Sequence, residues 1–138
     1  MVDKKEPKYV YRLLNESEKP ERGLWAKNPK ADISIQEHVE TGSWGTESQF
    51  ISTSATLGAV QQFARNSKSR RKRIVEINLT EVEKIPGNKI YDLSVERNRK
   101  MHLRSEKSLN FARKFQEVLI QGNVPPEWIE IQVKKKNS

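Results

Sequence analysis

The segment Gln49-Phe50-Ile51-Ser52-Thr53-Ser54 decides the fold. Its first half is apolar and β-forming, which predicts a strand, and its end carries three hydroxyl residues in a row. The residues that follow, Ala55 to Arg65, place small and apolar side chains at helical intervals, so the strand is expected to lead directly into a helix. A Ser-Thr-Ser run before a helix is also what an ordinary N-cap requires, because hydroxyl oxygens accept hydrogen bonds from free backbone N–H groups.

Two other predicted strands carry a charged residue beside apolar neighbours. Tyr9-Val10-Tyr11-Arg12-Leu13-Leu14 is rich in aromatic and branched residues and is interrupted by Arg12. Gln116-Glu117-Val118-Leu119-Ile120 follows a basic segment and begins with polar residues that include Glu117. Taken singly, an Arg or Glu in such a position faces water in most proteins. The order and context of the three segments are therefore more informative than any one residue.

Further elements are predicted from periodicity and capping signals. Ser34 can cap a short helix from Ile35 to Glu40, followed by a flexible loop from Thr41 to Gly45. A helix is also expected at Ser108 to Lys114, and Ser67 to Arg73 is expected to form a basic loop. The other predicted strands are Arg73–Leu79, Lys89–Leu93 and Trp128–Val133.

Strands outnumber helices in this pattern, and most helices come early. Because the connections between the late strands are short, we expect an α+β domain with mostly antiparallel pairing. The expected organisation is a disordered arm at 1–8, a single domain at 9–133 and a basic tail at 134–138.

Composition excludes several classes of site. The chain has 138 residues, of which 34% are hydrophobic, and this is enough for one modest core. The absence of cysteine excludes disulfides and thiolate chemistry, and two histidines exclude a multi-histidine zinc site, so no metal is predicted. No apolar run reaches the roughly 20 residues of a membrane span, and we find no apolar signal segment at the N-terminus. We therefore expect no membrane contact and action in the cytoplasm.

The positive charge is concentrated in one part of the chain. Residues 1–50 carry eight basic and nine acidic residues, so the remaining 18 basic and 9 acidic residues, a net of +9, lie in 51–138. Such a field attracts polyanions and anionic ligands. An ordinary basic, solvated surface explains the same pattern equally well.

In combination, these motifs resemble the Arg–Ser–Glu class of mono-ADP-ribosyltransferases, the cholera-toxin-like branch found among bacterial toxin domains. Tyr11-Arg12 matches the Arg of the family's first strand, and Phe50–Ser54 matches its Phe-led Ser-Thr-Ser strand. Gln116-Glu117-Val118, with the Gly122 and Pro125-Pro126 that follow, matches the strand carrying the catalytic Glu. The resemblance covers residues 9–131. It implies split antiparallel β-sheets with short helices, mostly N-terminal.

The resemblance implies a site for NAD, which is a substrate, with no metal. Glu117 would stabilise the cationic ribose, Ser52 would orient Glu117, and Arg12 would hold the NAD phosphates. These three are the expected catalytic residues. The expected NAD-binding residues are Arg12, Leu13, His38, Ser52, Thr53 and Ser54.

The class of acceptor is inferred from one position at which this sequence departs from the family pattern. Members that modify arginine usually carry a Glu two residues before the catalytic Glu, where this chain has Phe115. The preceding segment is basic, so Phe115, Arg113 and Lys114 are expected to face a macromolecular acceptor, with RNA or DNA favoured over protein. The alternative for the Phe111–Phe115 pair, four residues apart, is the buried face of a short helix.

Two alternatives remain open at this stage. An NAD glycohydrolase would keep the same site and transfer ADP-ribose to water. A non-catalytic basic module would bind nucleic acid and consume no NAD. By resemblance, small domains of this class are often toxins, so an antitoxin or immunity protein is a possible partner.

Overall fold

The computed structural model of the protein describes residues 6–45, 47–67 and 72–132. Within these ranges, eight strands and five α-helices alternate, together with 3-10 turns at Pro20–Arg22 and Pro126–Trp128. The elements are β1 (Tyr9–Leu13), β2 (Leu24–Trp25), α1 (Ile35–Gly45), β3 (Phe50–Ser54), α2 (Leu57–Arg65), β4 (Ile74–Asn78), α3 (Leu79–Glu83), β5 (Lys89–Asp92), α4 (Glu96–His102), α5 (Glu106–Lys114), β6 (Glu117–Gln121), β7 (Asn123–Val124) and β8 (Ile129–Ile131).

The strands form two sheets. Six strands lie in the order β5-β6-β3-β1-β4-β8, and β2 pairs with β7 in a separate two-stranded sheet. All pairs formed by these strands are antiparallel. The predicted α+β architecture with split antiparallel sheets is therefore confirmed.

The two faces of the six-stranded sheet cover separate apolar clusters. Because side chains alternate along a strand, Ile51 of β3 and Val118 of β6 enter one cluster, whereas Phe50 and Leu119 enter the other. The second cluster is closed by α1, α4 and α5, through Val39, Leu103 and Ala112 among others. This second face is the one on which Ser52 and Glu117 lie, since residues two apart share a face.

The helices differ from the sequence expectation in extent and placement. Helix α1 continues through the predicted loop to Gly45, and the Thr41 hydroxyl donates to the Glu37 carbonyl oxygen at 2.7 Å. Gly42 and Gly45 lie within this helix, although glycine is about 1 kcal/mol less favourable than alanine there, and this is why the sequence favoured a loop. Three of the five helices in the described ranges lie after residue 78, so the expectation of mostly N-terminal helices was wrong. Of the late helices, α3 and α5 begin at side-chain caps, Asn78 and Ser105, whereas the N-cap of α4, Val95, makes no side-chain capping bond.

The predicted ends of the chain lie partly outside the described residues. The described residues do not include 1–5 of the predicted arm, 68–71 of the predicted basic loop, Val133 of the last predicted strand, or the tail 134–138. Lys8 is hydrogen-bonded to the start of α3, with its N–H donating to Thr80 Oγ1 at 2.7 Å. Among the described helices, none combines the length and the apolar character needed to cross a bilayer.

Candidate active site

Glu117 begins β6 directly after a tight turn from α5. The residue before it, Gln116, has a φ of 50°, a left-handed conformation that costs a non-glycine residue about 1 kcal/mol. The Gln116 carbonyl accepts the Ala55 N–H at 2.8 Å, and its side-chain amide donates to the Arg113 carbonyl at 2.7 Å. These bonds fix the turn, so the position where Glu117 enters the sheet is determined by both α5 and the end of β3.

The Glu117 carboxyl is almost completely enclosed. The residue is 5% exposed and lies opposite Ser54 in the β3–β6 ladder. Burial raises the pKa of Glu117 to about 8, while the positive charge of Arg12 and a hydrogen bond with Ser52 act in the opposite direction. In the free protein the carboxyl therefore holds its proton at neutral pH.

His38 of α1 connects to Ser52 of β3. Its Nε2 lies 2.7 Å from Ser52 Oγ, and its Nδ1 lies 2.5 Å from Ser48 Oγ. Burial, and secondarily the charge of Arg12, lowers the pKa of His38 to about 4, so the ring is neutral at pH 7. The ring also packs edge-on against Phe50, with centroids 5.4 Å apart, which fixes its plane. His38 of α1 thus supports the Ser52 side chain on the face of the sheet that α1 covers.

Arg12 reaches the same place from β1. Its Nη1 donates to the Ser52 carbonyl at 2.8 Å, and its Nε and Nη2 donate to the Glu18 carboxylate at 3.0–3.2 Å. The expected phosphate-binding fork is therefore engaged by a carboxylate of the same chain. The guanidinium still places its positive charge close enough to act on both His38 and Glu117.

The remaining expected NAD-binding residues, Ser54, Thr53 and Leu13, do not all lie on the face of the sheet that carries Ser52 and Glu117. Ser54 is buried on the same face as Ser52, directly opposite Glu117. Thr53 points to the opposite face, where its hydroxyl donates to the Val118 carbonyl at 2.6 Å. The expectation that all three hydroxyls shape one pocket is corrected by the alternation of side chains along a strand. Leu13 is half-buried at the end of β1 and pairs with Ile74 of β4.

Of the three residues expected to face an acceptor, two are exposed and one is buried. Arg113 and Lys114 are exposed on the last turn of α5. Phe115 is 7% exposed and packs edge-on against Phe63 of α2 and Phe111 of α5, with centroid distances of 5.3 and 4.8 Å. Phe115 is thus a core residue and does not face an acceptor. The four-residue spacing of the pair places both rings on one helix face, which is the alternative that the sequence had left open.

Two residues of the site were missed by sequence reasoning. Glu18 is reached through a turn in which Asn15 Oδ1 accepts the Ser17 and Glu18 N–H groups, a pattern that the Asn-x-Ser-Glu sequence is able to signal. Ser48 contacts His38 across the bend between α1 and β3, and nothing in the sequence indicates this contact. Both residues act on groups that the sequence did identify.

A hollow adjoins the Arg12–Glu18 pair. It has a volume of about 440 Å³ and is lined by Ser17, Glu18, Lys19 and the segment 22–25. A second hollow, of about 320 Å³, lies at β4 and β8 and is lined by residues that include Glu76 and Trp128. Neither is lined by Ser52 or Glu117, so access to the buried carboxyl is not through these hollows. In the described ranges, no group of three or more His, Asp or Glu residues is arranged to hold a metal ion.

Comparison with known proteins agrees with this architecture. A solved structure, EcPltA, a pertussis-like toxin ADP-ribosyltransferase subunit, superposes with a TM-score of 0.60 over 89% of this chain and 73% of its own, at 20% identity. The chain thus has an ADP-ribosyltransferase-like fold. No curated protein matches the sequence. The family model for a domain of unknown function, DUF7587, matches residues 4–136, and the chain therefore belongs to the DUF7587 family.

Proposed function

We propose that this protein is an NAD-dependent mono-ADP-ribosyltransferase that acts as a toxin. The observation that carries the proposal is the clustering of Arg12 and His38 about Ser52, beside the buried carboxyl of Glu117. Three elements distant in sequence, β1, β3 and β6, contribute Arg12, Ser52 and Glu117. The ADP-ribosyltransferase-like fold supports the same activity.

The chemistry needs one well-placed carboxylate. The bond between the nicotinamide nitrogen and ribose C1′ breaks with its electron pair moving to the ring, whose positive charge is thereby neutralised. The ribose becomes oxocarbenium-like, as in glycoside hydrolysis, and the negative charge of Glu117 stabilises it. The acceptor forms a new bond to C1′ and releases its proton to solvent. Because the leaving group is already cationic, no general acid is required.

The buried state of Glu117 has a consequence for substrate binding. A protonated carboxyl offers no negative charge to the ribose, so the ionised form is the active one. The cationic nicotinamide ring of an arriving NAD favours ionisation of a neighbouring carboxyl. Binding of NAD should therefore release a proton from Glu117 near neutral pH.

Nucleic acid is the acceptor class that we favour. The exposed surface of α4, α5 and the bend between them is strongly basic, and it precedes the turn that leads to Glu117. Its exposed cations are Arg97, Lys100, Arg104, Lys107, Arg113 and Lys114. Of these, Lys100 is paired with Glu96 at the protein surface. Such a surface binds phosphate without sequence preference. With Phe115 buried, the proposal rests on charge and not on base stacking.

The experiment is transfer of label from NAD carrying a radioactive adenylate group into a cell lysate. The expected result is labelled material that nuclease destroys and protease leaves intact. Label that protease alone removes would refute the nucleic-acid acceptor and leave a protein-directed transferase. The variant Glu117→Gln should lower the transfer rate about 10²–10³-fold with the fold retained. The matched control Glu83→Gln, an exposed carboxylate on α3 outside the basic surface, should transfer at the wild-type rate.

A second candidate is an NAD glycohydrolase, and Phe115 is the observation that favours it. A buried ring stands where arginine-modifying relatives carry a second carboxylate, so no acceptor-activating acid is present at that position. Free ADP-ribose that accumulates at the full rate without any macromolecule would select this function. Absence of NAD consumption, together with salt-sensitive binding of RNA, would instead select a non-catalytic nucleic-acid-binding module.

The cellular setting belongs to the same proposal. A toxin of this kind would act in a cytoplasm, and its producer would need an antitoxin or immunity protein. Arrest of growth on expression, relieved by Glu117→Gln, would support both statements. Unchanged growth with active protein present would refute the toxin assignment.

A further inference from the structure

We propose that Ser48 is a positioning residue that fixes the tautomer of His38 and thereby directs the Ser52 hydroxyl toward Glu117. This inference rests on the proposed function, because a hydroxyl directed at Glu117 matters for catalysis only if Glu117 is the catalytic carboxylate. The hydrogen-bond arrangement itself is a property of the protein without substrate and is measured separately.

The four side chains form a buried chain of polar contacts. Ser48 Oγ lies 2.5 Å from His38 Nδ1, and His38 Nε2 lies 2.7 Å from Ser52 Oγ. Ser52 in turn lies close enough to Glu117 for its hydroxyl to lower the pKa of the carboxyl. Ser48 is 3% exposed and His38 is 5% exposed, so water competes little for these bonds. A neutral imidazole has one donor and one acceptor nitrogen, and its tautomer therefore decides the direction of the whole chain.

Proton counting selects one direction when Glu117 is ionised. Ser48 Oγ already accepts the Phe50 N–H at 3.2 Å, which leaves its own hydroxyl proton free to be donated. If that proton goes to His38 Nδ1, the ring carries its proton on Nε2 and donates it to Ser52 Oγ. Ser52 then has its hydroxyl proton left for the carboxylate, and every group has a partner. In the reverse direction, His38 Nδ1 carries the ring proton and Nε2 takes the Ser52 hydroxyl proton, which leaves Ser52 with no proton to donate to the carboxylate.

The charged groups around the chain are compatible with this direction. Burial lowers the pKa of His38, and the positive charge of Arg12 on β1, which also acts on Glu117, adds to this effect, so the ring does not acquire a second proton near neutral pH. Glu18 balances Arg12 from the far side through a pair at 3.0 Å. On α1 itself, the neighbouring acids Glu37 and Glu40 are exposed. Of the two titratable side chains in these contacts, His38 is already neutral above pH 4, so measurement above the pKa of Glu117 isolates the state in which the carboxyl is ionised.

The experiment is nitrogen NMR of the His38 ring at pH 9 in the protein without NAD. The expected result is a protonated Nε2 and an unprotonated Nδ1. A protonated Nδ1 would overturn the proposal. In Ser48→Ala the tautomer should change, and Ser48→Thr, which keeps the hydroxyl, should restore it. Ser34→Ala is the matched control, because it removes the cap of the same helix and leaves Ser48 in place.

The kinetic readout separates positioning from stability. Ser48→Ala should lower kcat about 10–100-fold, the cost typical of a lost outer-shell contact, with KM for NAD unchanged. An altered tautomer with unaltered kcat would overturn the positioning role. If Ser48→Ala does not fold, the wild-type tautomer and the Ser48→Thr rates still decide. If the tautomer is as expected but the wild-type protein consumes no NAD, the proposed function fails and the hydrogen-bond assignment stands.

Discussion

The two sides of β3 are built in different ways. Toward β6, β3 has five register pairs and an added bond from the Thr53 hydroxyl. Toward β1, it has the register pair Tyr11–Ser54, and the Arg12 guanidinium binds the Ser52 carbonyl. The candidate site uses both sides of β3, since Glu117 begins the complete ladder with β6, whereas Arg12 binds the Ser52 carbonyl on the incomplete side. The complete ladder therefore fixes the position of the carboxyl, and a side chain supplies the link where backbone pairing is missing.

The largest effect should follow from breaking the side-chain link between β1 and β3. Arg12→Ala removes this link, including the bond to the Ser52 carbonyl, and leaves the part-buried Glu18 carboxylate without its cation. We expect a loss of about 3 kcal/mol in the free energy of unfolding, measured in urea, together with loss of NAD consumption. The double variant Arg12→Ala/Glu18→Ala should recover part of that stability, because the orphaned charge is gone. A single-variant loss below about 1 kcal/mol would mean that Arg12 is not a structural link.

The charge state of Glu117 gives the next prediction. Its folded-state pKa is raised, so the stability it contributes is present below pH 4.5 and is lost as pH rises through about 8. Glu117→Gln does not titrate, and its melting temperature relative to the wild type should therefore increase from pH 5 to pH 9. An increase of several degrees is expected, since 1 kcal/mol corresponds to about 4 °C in a domain of this size. A constant difference in melting temperature would contradict the raised pKa.

Activity should depend on the same proton in the opposite sense. Because the ionised carboxylate is the active form, kcat/KM for NAD should rise about tenfold per pH unit below about 8 and level off above it. Initial rates of nicotinamide release between pH 5.5 and 9.5 measure this profile. A profile that is flat across that range would show that Glu117 is already ionised in the free protein.

Neighbouring hydroxyls on opposite faces of β3 offer a sharper comparison. Thr53→Val should cost about 1 kcal/mol of stability through the lost bond to Val118, with turnover unchanged. Ser52→Ala should cost a similar amount of stability and lower turnover about 10–100-fold, since Glu117 loses its orienting hydroxyl. Urea denaturation and NAD turnover on the same preparations provide both numbers. Equal losses of turnover in the two variants would show that the faces are not functionally distinct.

The smallest effect is expected at Glu18. Glu18→Gln keeps a hydrogen-bond acceptor for Arg12 and removes the negative charge that competes with the NAD phosphates. KM for NAD should fall about two- to threefold, in line with the modest energies of partly exposed ion pairs. A raised KM would indicate that the Glu18 charge holds Arg12 in place for binding.

Local sequence patterns were sufficient for the strands that carry Arg12, Ser52 and Glu117, because apolar and β-branched runs mark them clearly. The same alternation rule, applied to residues 52–54, would have placed Thr53 on the opposite face. Phe115 carries two conflicting signals: the basic residues before it suggest an exposed position, whereas its spacing of four from Phe111 suggests a buried helix face. The structure follows the second signal. Ser48 and Glu18 depend on chain bends that bring separate elements together, and the two-residue strands β2 and β7 are too short to show a period.

The register pair Tyr11–Ser54 between β1 and β3 also marks a boundary within the sheet. It divides the larger sheet into a half containing β1, β4 and β8 and a half containing β3, β6 and β5. The Arg12 guanidinium spans this boundary, with Glu18 on one side and the Ser52 carbonyl on the other. One side chain therefore both joins the two halves of the scaffold and supplies the positive charge that acts on Glu117, so a substitution of Arg12 alters both at once.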